Sequence, residues 1–290
     1  MTHAPEPVTP ALLRAWPLPE PHGSKYGRGQ VMVVGGARAT PGAAMLAGLA
    51  ALRVGAGRLS LAVAASVAPA VAVAVPEAGV RGLAEDDDGE VTGDDARRLE
   101  QHAARADGVL LGPGLGAPEG TLALLRGLVP HVGEDVPVVL DAFALGVLPG
   151  AGEVQERLRG RLVLTPNLVE MARLLDRDEI ADEAAADAVH EVAERYGAVV
   201  CGHGIVSDGE RMWRSSTGHT GLGTSGSGDV LAGAIVGLLA RGAEAAQAAA
   251  WAMHLHAAAG DSLTARVGKV GFLARELVDE LPHELHALSA

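Results

Sequence analysis

The sequence predicts a three-layer α/β fold with a mainly parallel central sheet. Three observations predict it. Short apolar runs alternate with helical patterns over most of the length. Residues 30–64 read strand, helix, strand, a unit that pairs its strands in parallel through a right-handed crossover. Several predicted strands end in glycine-rich or polar turns, at Gly35-Gly36, Gly112–Gly116, Asp141, Thr165–Asn167 and Gly202–Gly204. Open α/β sheets bind their ligands beyond such strand ends.

The elements follow in order. Residues 1–7 are expected to be disordered, and 8–290 to form one domain, because no linker, composition break or repeat interrupts the pattern. Thr9-Pro10 reads as N-cap and first turn of a short helix to Trp16, which Pro17, Pro19 and Pro21 end. Gln30–Gly35 is a buried strand, Gly42 to Val54 a helix, and Arg58–Ala64 a second strand. Val71–Val75 reads as a third strand, and Glu85–Glu90 as an acidic, solvated loop. Asp94–Ala104 is a helix, Asp107–Leu111 a strand, Glu119–Val129 a helix and Val136–Leu140 a strand. Leu162–Leu164 is a strand, followed by helices near 169–175 and 182–196 and a strand at Ala198–Cys201. Asp208-Gly209, between Ile205–Val206 and Arg211–Trp213, signals a hairpin. Helices after Gly226, from Ala243 to about Ala259, and around Phe272–Leu281 complete the chain.

Composition narrows the function. The 290 residues are 48% hydrophobic, enough for a sizeable core. A formal net charge of −13 argues against nucleic acid as a partner, since phosphate backbones need basic surface, and gives no support for an anionic membrane surface. No apolar run has the length and continuity of a membrane span. Cys201 is the single cysteine, so no intrachain disulfide and no cysteine metal cluster can form. Pro5, Pro7 and Pro10 stand where a signal peptide needs an apolar core, so a reducing cytoplasm is the expected location.

The chemistry centres on Gly221 to Gly242, GLGTSGSGDVLAGAIVGLLARG. A glycine loop feeding a helix presents free N–H groups and a positive dipole end, which suits phosphate. Asp229 stands at the start of that helix. A carboxylate there would repel phosphate unless it takes a proton from a group attacking phosphorus, so the arrangement points to phosphoryl transfer. The plainer reading is that Asp229 only caps the helix. The helix N-terminus is expected to hold Asp229 as the anion at neutral pH. Gly221-x-Gly223-x-x-Gly226 lacks the βαβ context and distal acid of a dinucleotide fingerprint, and no Gly-Lys-Ser/Thr of a P-loop occurs. Gly112–Gly116 would let a bulky ligand lie against the backbone, or is only a tight turn. Asp141 either holds Mg²⁺ through water or caps the next helix. Cys201 reads as a small buried hydrophobe. His254 and His256 lie two apart on a helix, facing different sides, which argues against a metal pair.

Taken together, Lys25-Tyr-Gly-Arg-Gly-Gln-Val-Met-Val-Val-Gly-Gly, Pro41-Gly-Ala-Ala, Ala51-Leu-Arg-Val-Gly-Ala-Gly, Gly112–Gly116, Val139-Leu-Asp-Ala, Leu164-Thr-Pro and Ser225-Gly-Ser-Gly-Asp-Val-Leu-Ala-Gly resemble the ADP/ATP-dependent NAD(P)H-hydrate dehydratases of the ribokinase-like superfamily. The resemblance runs in order from about residue 8 to 285. It implies a repair enzyme, a carbon–oxygen lyase that uses ADP or ATP with Mg²⁺ to phosphorylate the hydroxyl of hydrated NADH or NADPH (NAD(P)HX). Elimination of phosphate then restores NAD(P)H. It implies Asp229 as the catalytic residue, Gly226, Ser227 and Gly228 as the anion hole, and Cys201, Gly202 and His203 on the nucleotide side. Ala43, Gly114, Gly116, Asn167 and Asp229 would contact the substrate, and Asp141 would face the metal. A homo-oligomer is also implied.

The chain departs from the family pattern at ligand-facing turns. Phe143 stands where a second Asp is usual, and Asn167-Leu-Val-Glu170 replaces His-Pro-Gly-Glu. No Lys precedes Gly202, and His219-Thr220-Gly221 replaces Asn-Pro-Gly. The missing lysine predicts weaker nucleotide binding unless Lys25, Arg38 or His203 supplies the charge. Two other readings share the Gly226–Asp229 loop: a kinase for another small hydroxylated substrate, and a nucleotide-binding protein without turnover.

Overall fold

A computed structural model describes residues 4–20 and 23–289. The strands are β1 (Glu6–Val8), β2 (Gln30–Val34), β3 (Arg58–Ala64), β4 (Ala78–Leu83), β5 (Gly108–Leu111), β6 (Val138–Leu140), β7 (Leu162–Leu164), β8 (Val199–Gly202), β9 (Ile205–Ser207) and β10 (Met212–Ser215). They form one continuous sheet in the order β1-β10-β9-β8-β7-β6-β5-β2-β3-β4. β4 to β8 pair in parallel through β3, β2, β5, β6 and β7; only β9 pairs antiparallel with its neighbours. The mainly parallel α/β architecture is the expected one.

Strand side chains alternate between two helical layers, as the two-residue period requires. Val31 and Val33 of β2, Leu110, Val139, Val163 and Cys201 face one layer. It holds α1 (Pro10–Ala15), α2 (Pro41–Arg53), α3 (Ala68–Ala74), α10 (Ser227–Ala240), α11 (Ala245–Arg266) and α12 (Ala274–Ser289). Met32, Val34, Leu111, Leu140, Leu164 and Val200 face the other. That layer holds α4 (Glu100–Ala103), α5 (Pro118–Leu128), α6 (Phe143–Val147), α7 (Gly152–Leu158), α8 (Leu168–Leu175) and α9 (Ala185–Tyr196). Among the described residues no helix is long and apolar enough to cross a membrane.

Two elements differ from the sequence reading. The disorder expected for 1–7 does not extend to Glu6 and Pro7: they lie in β1, which pairs in parallel with β10 through Glu6–Trp213 and Val8–Ser215. Met1 to His3 lie outside the described residues. A proline is tolerated there because β1 is an edge strand. Val71–Val75 is not a strand; Ala68–Ala74 is a helix with Pro69 in its first turn, and the strand comes later, at β4.

The N-terminal segment docks through aromatic side chains. Thr9 caps α1, its hydroxyl accepting from the Leu12 N–H at 3.2 Å. Trp16 then stacks on Trp213 with 5.6 Å between ring centroids. The Trp251 indole N–H donates to the Trp16 carbonyl at 2.8 Å.

Candidate active site

The parallel strands β8, β7, β6, β5 and β2 are adjacent, so their C-terminal turns share one edge of the sheet. Backbone contacts knit these turns together. The Gly36 N–H donates to Pro113 O and the Ala37 N–H to Gly114 O, each at 2.7 Å. Thr40 Oγ1 donates to Gly114 O at 2.8 Å. A Cβ on Gly114 would sit 3.0 Å from that of Ala43. Gly112 has φ +128°, and a Cβ there would overlap the Asp141 carbonyl oxygen. Only glycine lets these two strand ends approach so closely. The Asp141 N–H reaches Leu111 O at 3.1 Å.

The chain from Gly226 joins the same edge. α10 runs antiparallel to β5: its C-terminal residues Val236 and Ala240 pack on Gly108 at the start of that strand. Its N-terminus therefore points to the strand ends. Gly226 is the N-cap residue, at φ +88°, and makes no side-chain cap bond. Asp229 is the third residue of the helix, so it does not cap it, and the capping reading falls. The Ser227 N–H is taken by Thr224 O at 3.2 Å. The N–H groups of Gly228 and Asp229 remain in a first turn that has no intrahelical acceptors for them. Ser227 itself is buried, its hydroxyl 2.8 Å from Nε2 of His256 on α11.

Three carboxyl groups are linked here through Asp141, whose charge acts on both Asp229 and Glu170, and all are harder to ionise than usual. Burial pushes Asp229 up to about 7, and the Asp141 charge adds to it. Burial raises Asp141 to about 6, against the Thr165 hydroxyl, which donates to its Oδ1 at 2.7 Å, and a backbone bond from Ala142. Burial and Asp141 raise Glu170 to about 7. The expectation that the helix N-terminus keeps Asp229 ionised is thus corrected: desolvation outweighs the helix end. Among the described residues no group of three or more His, Cys, Asp or Glu side chains is placed to hold a metal ion.

The other expected site residues divide. Asn167 caps α8, with its side chain accepting from the Glu170 N–H and the Glu170 carboxylate accepting from the Asn167 N–H, each at 2.9 Å. Gly202 packs on the Pro166 carbonyl, at the end of the neighbouring strand. His203, at φ +51°, is half-exposed on the β8–β9 turn, 3.8 Å from Asp182. It lines a cavity of about 330 Å³ with Arg214 and Thr217. Gly116 packs against the Glu90 carboxylate, whose Oε2 is buried without a partner. Cys201 does not reach the cleft: it is 2% exposed, lies in the core, and burial pushes its thiol up to about 12. Its place on the nucleotide side is a correction, because its side chain faces the α10–α11 layer.

Of the lysine substitutes, Arg38 is engaged elsewhere. It pairs with Glu85 at 3.1 Å and donates to the Asp86 and Asp87 carbonyls. The acidic loop is therefore bound to the Gly36–Thr40 turn rather than merely solvated.

Thr165, Glu170 and His256 enter the sequence reading only as part of a strand-end turn, of a departure from the family pattern and of a rejected metal pair, with no role at the site. For Glu170 a signal existed: Asn-x-x-Glu before an apolar run is a capping box. For His256 none did, because its partner Ser227 lies 29 positions away.

The chain is similar to known proteins. The family described as NAD(P)H-hydrate dehydratase matches residues 31–283. An ADP-dependent (S)-NAD(P)H-hydrate dehydratase of Xanthomonas campestris is 46% identical, over 97% of this chain and 96% of its own. A bifunctional NAD(P)H-hydrate repair enzyme of Moorella thermoacetica is 36% identical over 96% of this chain, which spans only 54% of that larger protein. The ADP/ATP-dependent NAD(P)H-hydrate dehydratase of Bacillus subtilis, co-crystallised with ATP/Mg²⁺, superposes with a TM-score of 0.81 at 27% identity, covering 99% of this chain and 100% of the other. The convergence of strand-end turns on Asp229, together with these likenesses, places the chain in the NAD(P)H-hydrate dehydratase family, on a ribokinase-like fold.

Proposed function

We propose that the protein dehydrates NADHX and NADPHX to NADH and NADPH at the expense of ADP or ATP. The observation that carries this reading is the meeting of Gly112–Gly114, Ala43, Asp141 and the Gly226–Asp229 turn at one sheet edge. The nucleotide's terminal phosphate lies against the Gly228 and Asp229 N–H groups. Asp229 accepts the proton of the ring hydroxyl as its oxygen bonds to phosphorus and the bridging P–O bond breaks, releasing AMP or ADP. Hydroxide is a poor leaving group and phosphate a good one. The C–O bond then breaks, phosphate departs with the electron pair, and loss of a ring proton restores the double bond.

Asp229 is well suited to this order of events. A carboxyl raised to about 7 is a stronger base than an ordinary aspartate, so it takes the proton more readily once ionised. When Mg²⁺ is bound it neutralises phosphate charge. Asp141 is the residue that would hold it, through water. The same reading places the enzyme in the cytoplasm as a homo-oligomer, which size-exclusion chromatography with light scattering checks. The deciding experiment follows NADH appearance from NADHX with ADP or ATP and Mg²⁺. Turnover with either nucleotide supports the proposal; nucleotide binding without turnover overturns it.

A further inference from the structure

A second cavity, of about 650 Å³, lies at the opposite end of α10 from Asp229. The 14 residues of that helix put the two ends about 20 Å apart. Arg14, Arg28, Arg53, Arg241 and His286 line the cavity; Glu20 is the one carboxylate among its described lining residues. The chain has 36 acidic residues against 23 basic ones, so this convergence is not a by-product of a basic composition.

Arg241 is built in. Its Nη1 donates to Val54 O at 2.6 Å and its Nη2 to Pro19 O at 3.3 Å. Gly55, at φ +106°, makes room: a Cβ there would stand 3.2 Å from that Nη1. Its Nε–H is buried without an acceptor. Burial, and then the Arg28 charge, hold the Arg241 guanidinium below its usual range, against the smaller opposing effect of Glu20. Arg53 is paired with Asp279 at 2.8 Å, whereas Arg14 and Arg28 have no carboxylate partner among the described residues. A clasp on the N-terminal segment explains Arg241 alone. It leaves unexplained why Arg14 and Arg28 face the same space.

We propose that this cavity is a second anion site, one that takes a phosphate-bearing small molecule. Guanidinium forks match phosphate oxygens, and several around one anion bind it far more strongly than any alone. The volume falls within the roughly 300–1,000 Å³ of small-molecule sites. Leu18 and Leu285 supply an apolar wall, so an organic group carrying the phosphates fits beside them. An anion here offsets both the repulsion between Arg28 and Arg241 and the desolvation of the latter.

The test uses the intact chain and the Arg14→Ala/Arg28→Ala variant. Both residues are exposed, so the fold tolerates their loss. Inorganic tripolyphosphate is titrated calorimetrically at low ionic strength, and tungstate is soaked into crystals. The expected result is a loss of affinity of about tenfold or more in the variant, with tungstate bound between Arg14, Arg28 and Arg241. Hydrate dehydratase kcat should stay within about twofold, since the two sites are distant and share no partner. ADP is the second probe. Loss of one of two ADP sites in the variant assigns an organic phosphate; loss of tripolyphosphate binding alone assigns an inorganic one. Unchanged tripolyphosphate affinity, tungstate only at Gly226–Gly228, or a second copy of the chain filling the cavity overturns the proposal.

Discussion

The Ser227 hydroxyl lies 2.8 Å from Nε2 of His256, tying the first turn of α10 to the middle of α11. His256 is buried, and burial pushes it down to about 4. Folding thus favours its neutral form. The resulting stability is full above the unfolded value near 6.5 and is lost as pH falls to about 4, an effect of about 3 kcal/mol. His256→Gln keeps a partner for Ser227 and removes the titration. Its melting temperature should fall less than that of the parent between pH 7 and 4.5. Equal losses would assign the acid sensitivity to another group.

Asp229→Asn should lower kcat by roughly 10²–10⁴-fold, the usual cost of a lost general base. Its effect on stability has the opposite sign. The folded state raises this carboxyl to about 7, so its contribution is present below the unfolded value and is lost as pH rises through 7. The variant should melt higher than the parent at pH 8 and with it near pH 4. Parent-like turnover would remove Asp229 from the chemistry.

The pH profile of kcat/KM reports ionisation in the free enzyme. Asp229 must be deprotonated to accept a proton, so kcat/KM should fall on the acid side of about 7. The Asp141 charge contributes to that value. Asp141→Asn should therefore move the acid limb to lower pH. An unmoved limb would separate the two carboxyls.

Gly112→Ala should destabilise the protein by about 3 kcal/mol, at the upper end of overpacking costs. The added methyl must displace the Asp141 carbonyl from a turn already at φ +128°. Denaturant titration gives the stability, and kcat gives the displacement of Asp141. An unperturbed midpoint would mean that the β5–β6 turns have room to part.

The central strands and their turns were legible because their period and punctuation agree. Val31, Val33 and Leu110 are apolar in a row with their neighbours, as strands buried on both faces must be, and Gly35, Gly112, Asp141 and Thr165-Pro166 end four of the central runs. Ala68–Ala74 misled because alternating Ala and Val suits a strand as well as a helix, and Val73 is 83% exposed. β4 was missed because an edge strand with two glycines, Ala-Gly-Val-Arg-Gly-Leu, carries little apolar signal. In the site, glycine and aspartate announced themselves by type and spacing. The protonation of Asp229 did not, because it depends on burial and on Asp141, 88 positions away, which no local pattern encodes. Cys201 was correctly read as buried from its residue type, whereas placing it beside the nucleotide came from the family pattern alone.

All three tryptophans of the chain share one neighbourhood, Trp16 stacked on Trp213 and Trp251 bonded to the Trp16 carbonyl. Intrinsic emission therefore reports on the docking of the N-terminal segment against β10 and α11. A fluorescence-followed melt of this protein reads the detachment of that clasp. A ligand arriving at Asp229 is better watched with a dye or nucleus placed on the Gly223–Gly228 loop, whereas an occupant of the arginine cavity, whose lining includes Trp251, would change the emission directly.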